Sequence, residues 1–190
     1  MLNSTNSFFS SDRERRLWLW TLAVVIAIYS TLGLAGQLAG VLRDRGLLAN
    51  FLFLSMFLIG ATVLTLGLKM RPGGAEIGVA LGVTAIYILL FMRLGATMEE
   101  RSHLMEYSVV GALIYQALTE RHRNGCRVPL PALLAIVSTT LLGVLDEGIQ
   151  WFLPNRVFDP IDILFNFLAG FLAILATLAL TSVRARYRRD

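Results

Sequence analysis

The run from Asp146 to Gly170 sets Asp146, Glu147, Gln150, Arg156, Asp159, Asp162 and Asn166 between two strongly apolar stretches. Carboxylates, carboxamides and a guanidinium can bind a polar group, hold a charge or move a proton. In hydrocarbon each ionisable group costs several kcal/mol, so such residues in or beside a membrane span are candidates for function. A second polar group precedes them: Glu99, Glu100, His103, Glu106 and Tyr107. The spacing of 99, 103, 106 and 107 puts these side chains on one helix face. His103 with Glu106 or Glu147 has the chemistry of a general acid–base pair, which makes these three the catalytic candidates. A histidine hydrogen-bonded to a carboxylate such as Glu147 is the structural alternative. Carboxylates and one imidazole also suit a divalent cation, but the spacing matches no standard metal motif and no metal site is assigned.

The ligand-binding candidates are Tyr107, Asp146, Glu147, Gln150, Arg156, Asp159, Asp162 and Asn166. Each also has a purely structural reading. Asp159-Pro160-Ile161-Asp162 is the pattern of a helix start, with Asp159 at the cap, Pro160 at the first helical position and Asp162 near the positive end of the helix dipole. Asn166 and Gly170 continue the Asp159 and Asp162 stripe and suit close approach of another helix. Arg156 can hold an anionic ligand or neutralise Asp146, Glu147 or Asp159.

The elements that must position these residues are membrane helices. Of 190 residues 56% are hydrophobic and 16% charged, with mean hydropathy +0.66, a balance foreign to a soluble domain. Apolar stretches run at about Leu17–Val41, Phe51–Leu68, Ile77–Met92, Leu104–Leu118, Val128–Leu145 and Ile161–Ser182, each of the order of the roughly 17–25 residues that cross a bilayer. The fourth is short and carries Glu106 and Tyr107, as a span shielded by its neighbours or a helix starting in the interface would. Continuous apolar runs without two-residue alternation predict helices, not a barrel. The expected fold is all-α: a polytopic bundle of about six transmembrane helices. It divides into a polar tail over 1–16, of which Met1 to Ser11 are expected to be mobile or on the surface, one transmembrane domain over 17–183 and a basic tail over 184–190. The first stretch is longer than the roughly 7–15 apolar residues of a cleaved signal, so it reads as a retained anchor. Trp18 and Trp20 fit an interfacial aromatic belt.

Orientation follows from the basic residues. Twelve of the seventeen Lys and Arg fall in the termini and in the breaks after the second and fourth stretches, so both termini are expected in the cytoplasm. The net charge of +4 and pI near 9.7 follow from that bias, and no nucleic-acid partner is expected. The polar groups above then share the extracytoplasmic side. The single Cys126 excludes an intramolecular disulfide and a cysteine metal framework.

Glu99-Glu100-Arg101-Ser102-His103-Leu104-Met105-Glu106-Tyr107, then Asp146-Glu147, Gln150, Pro154, Asn155-Arg156, Asp159, Asp162, Asn166 and Gly170, resembles in pattern and order the VanZ-like family of integral membrane proteins. The likeness covers about residues 99–175. It implies a multi-pass protein of the bacterial inner membrane connected with the cell envelope and, through the family's namesake, with glycopeptide resistance; it implies no cofactor. Three readings of function stand side by side. An outer-leaflet cavity binds a lipid-linked or amphiphilic envelope molecule; the acid–histidine cluster is an enzyme site acting on a lipid-borne group; or the polar network holds together a non-catalytic subunit of a larger complex. The expected partners are membrane lipids and, in the third reading, other membrane proteins. No nucleophile elbow, phosphate-binding loop, dinucleotide fingerprint or paired-histidine metalloprotease motif is present.

Overall fold

The computed structural model describes residues 8–47, 50, 51, 54, 72–93, 98–153 and 158–187, and all regular structure among them is α-helical. Five long helices carry it: α1 (Asp12–Asp44), α2 (Gly74–Arg93), α3 (Met98–Arg123), α4 (Pro131–Gln150) and α5 (Pro160–Tyr187). They contain most of five of the six apolar stretches. The second stretch, Phe51–Leu68, lies outside the described residues except for Phe51 and Leu54.

The helix ends follow from local sequence. Ser11 caps α1, its hydroxyl accepting the Glu14 N–H at 3.1 Å. At the other end Gly46 has φ +67°, and the N–H groups of Gly46 and Leu47 return to the carbonyls of Arg43 and Leu42. Gly125, φ +85°, closes α3 in the same way, with Gly125 and Cys126 bonded to His122 and Arg121. A left-handed residue just past a helix is cheap only without a Cβ, which explains glycine at both places. The α3–α4 turn ends on Leu130, a left-handed residue of φ 45° that precedes Pro131, the first residue of α4.

Helix α3 is the centre of the bundle. Its most extensive interface is with α5, and it also packs on α1 and α4, while α2 lies against α5. The fourth apolar stretch is shielded by its neighbours: Leu104, Tyr107, Val110, Ile114 and Ala117 are all buried. One core cluster joins Ile28, Val110, Ile114, Ala135 and Ile174; a second joins Leu104, Tyr107, Phe165 and Ala169. Between them α3, α4 and α5 come nearly backbone to backbone. A Cβ built on Gly111 would lie 2.9 Å from the Gly170 Cα, and one on Gly170 would lie 2.9 Å from Thr139 Cγ2. Small residues at these crossings allow the approach.

Polarity is arranged inside out. Glu14, Thr21, Thr139, Asp146, Glu147, Gln150, Asp162 and Asn166 are buried, whereas Trp20, Leu81, Leu89 and Leu141 are 60–65% exposed. Among the described residues two helices, Pro131–Gln150 and Pro160–Arg186, are long and apolar enough to cross a membrane, with mean hydropathy 1.7 and 2.4. A shorter apolar helix runs over Gly74–Leu89.

Candidate functional site

The bundle has two polar poles, and the sequence-predicted residues gather at the one where α4 ends and α5 begins. Helix α4 runs past its apolar stretch to Gln150, so Asp146, Glu147 and Gln150 stand at its C-terminal end. All three are buried. Asp159 caps α5, its Oδ1 accepting the Ile161 N–H at 2.8 Å, which is the capping role read from the Asp-Pro-Ile-Asp pattern. The stripe that follows brings Asp162 and Asn166 into the bundle, 8% and 0% exposed.

Glu147 ties these elements together. One carboxylate oxygen accepts from Gln150 Nε2 at 3.0 Å, the other from the Asp159 backbone N–H at 3.1 Å. The first bond fixes side chains one turn apart on α4; the second pins the start of α5 to the end of α4. A buried carboxylate with both oxygens engaged is held as an acceptor.

Asp146 faces the other way. It acts electrostatically on the hydroxyls of Tyr107 from α3 and Tyr29 from α1. Both hydroxyls donate to the carbonyl of Leu142, at 3.3 and 2.9 Å. Tyr29 therefore belongs to the site although the sequence reading passed over it. Its only signal was a phenol within an apolar stretch.

Asn166 lies where α4 and α5 are closest. A Cβ on Gly143 would fall 2.7 Å from Asn166 Nδ2. Neither the nitrogen nor the oxygen of this buried carboxamide has a hydrogen-bond partner among the described residues. Such a group is rare in a folded protein, because burying an unpaired amide costs about 1–3 kcal/mol.

Glu106 is half-buried on α3, next to Tyr107. His103 is on α3 too, but its side chain lies outside the described part, and Arg156 lies outside the described residues altogether. The His103 acid–base reading and the Arg156 ion pairs therefore have no geometry to set against them. Among the described residues no three His, Cys, Asp or Glu side chains come together as a metal site.

The opposite pole carries a network that the sequence reading missed. Phe8 to Ser11 are strapped onto the end of α3. Glu14, fully buried, accepts from the Ser10 N–H and hydroxyl, both at 2.7 Å, from Trp18 Nε1 at 3.3 Å and from Arg121 Nη1 at 3.0 Å. Burial works against the charged carboxylate, but Ser10 and Arg121 outweigh it and hold the Glu14 carboxyl below the usual range. Beside it Arg13 pairs with Glu120 at 3.1 Å, and Arg184 with Glu76 at the start of α2.

No family model, curated protein or solved structure matches this chain.

Proposed function

We propose that the chain is a VanZ-like protein of the bacterial inner membrane, with six transmembrane helices and both termini in the cytoplasm. Its acidic pole binds a lipid-linked or amphiphilic molecule of the cell envelope on the extracytoplasmic side. The membrane reading is supported by the two long apolar helices and by exposed faces rich in Leu, Val and Ile around a polar interior. The orientation is supported by the gathering of Arg13, Arg121, Arg123 and Arg184 at one pole. The envelope connection comes from the ordered resemblance over residues 99–175.

The observation that carries the binding reading is Asn166. A buried carboxamide with no partner among the described residues, in a cluster with Asp146, Glu147 and Asp162, is suited to be completed by a polar group brought from outside. An amphiphile meets that need: its head reaches the polar pole while its chains stay against the apolar helix faces. Extraction in a gentle detergent followed by mass spectrometry of the bound small molecules tests this. One defined lipid-like species should be retained by the wild type and lost from Asn166→Leu, with the elution volume unchanged. Equal retention by both would reject the assignment.

The hydrogen bonds of Glu147 favour a second reading, in which the cluster is a staple and the protein an accessory subunit. In that case extraction yields stoichiometric protein partners and no particular small molecule.

A further inference from the structure

The basic pole contains a pocket of about 340 Å³ between α1, α3 and α5. Its charged lining consists of Arg13, Arg123, Arg184 and a single carboxylate, Glu120. Glu120 is already engaged by Arg13, and Arg184 by Glu76. Arg123 is exposed and makes no ion pair among the described residues. The pocket thus has one guanidinium uncommitted and a surplus of positive charge.

Thr119 lines the same pocket and gives an independent sign. Thr21, Thr31, Thr84, Thr139, Thr140, Thr177 and Thr181 each donate their hydroxyl to a backbone carbonyl three or four residues earlier. That is the usual resting place of a threonine hydroxyl in a membrane helix. The Thr119 hydroxyl is buried and bonds to nothing among the described residues. It is an unused donor beside an unused guanidinium, a pairing that suits a phosphate oxygen.

The surroundings decide between a soluble phosphate and a lipid. The pocket's own wall includes Leu180, and Leu175 and Leu178 are exposed on the neighbouring turns of α5. An apolar helix surface beside a basic pocket suits an acyl chain. Basic pockets between helices on the cytoplasmic side are also where anionic head groups bind.

We infer that the pocket between α1, α3 and α5 holds the phosphate head group of an anionic phospholipid, with Arg123 and Thr119 as its ligands. The site lies at the pole opposite the acidic cluster; it rests on the membrane orientation proposed above and not on what the acidic pole binds.

The test is native mass spectrometry of the full chain, stripped of lipid in detergent and titrated with phosphatidylglycerol, phosphatidylcholine or inorganic phosphate. Phosphatidylglycerol should bind preferentially. Arg123→Gln should weaken it about fivefold, the loss expected for one basic residue at an anionic head group. Thr119→Val, close to isosteric, should weaken it several-fold with an unchanged melting temperature in lipid-free detergent. Equal binding of phosphatidylcholine, or wild-type affinity in both variants, would overturn the proposal. Competition by millimolar inorganic phosphate would also overturn it, since the ligand would then be a soluble anion. Arg123 is exposed, so its variant reports on binding and not on folding.

Discussion

Gly143 on α4 and Asn166 on α5 are so close that a methyl group on Gly143 would stand 2.6 Å from the Asn166 Cβ. No real pair of carbon atoms tolerates that distance, so any side chain at 143 must push the two helices apart. Asp146, Glu147 and Gln150 follow on the same helix, and Asp162 precedes Asn166 on the other. The spacing of this crossing therefore sets the width of the polar cluster.

Gly143→Ala is expected to destabilise the protein by about 1–3 kcal/mol, the usual cost of overpacking a tight contact. Gly82→Ala on α2 is the control, since nothing lies within 4 Å of the added methyl. There the change should be neutral or stabilising by up to about 1 kcal/mol, because alanine loses less backbone entropy in a helix. Thermal unfolding in detergent, followed by circular dichroism, separates the two. Equal effects would mean that the α4–α5 contact is looser than described.

Glu147 supplies the next expectation. Its alanine variant leaves the Gln150 carboxamide and the Asp159 N–H without their shared acceptor inside the bundle. Leaving the buried Gln150 donor unpaired costs about 1–3 kcal/mol, and the half-buried Asp159 N–H adds a smaller amount. Amide exchange should also rise at the first turn of α5, which Glu147 pins to α4. A variant with native stability and an unchanged exchange rate at Asp159 would show that the staple carries no weight, and would return Glu147 to the catalytic candidates.

How much of this was legible beforehand depends on whether an interaction is local. The Asp159 cap could be read directly, because a cap is made by a side chain and an N–H two residues away. The Asp162 and Asn166 stripe was legible because helical periodicity alone puts both on one face. Tyr29 was not, since its partner is a backbone carbonyl on a helix 113 residues further on. Gly111 and Gly143 were equally silent: a glycine gives no sign of what approaches it. The arginines at 121 and 13 were read as marks of orientation by charge, which says nothing about the carboxylates they meet. The strap from Phe8 to Ser11 escaped for the same reason, since its bonds reach residues more than a hundred positions away.

The ion pair of buried Glu14 with the half-buried Arg121 makes stability depend on acid in a defined direction. The Glu14 carboxyl in the folded protein lies below its ordinary value of 4.5, because the bonds from Ser10 and Arg121 outweigh the cost of burial. The unfolded chain therefore takes up a proton first as the pH falls. The contribution is complete above about pH 4.5, declines as acidification proceeds through the folded value and is absent below it. Glu14→Gln should cost about 1.5–3 kcal/mol near neutral pH, the range for a hydrogen bond to a charged group. The gap between the two proteins should narrow as the pH falls below about 4.5. Melting temperatures of both across that range check the sign: a gap that stays constant, or widens on acidification, would mean that the Glu14 charge is not what holds the strap and α1 to the end of α3.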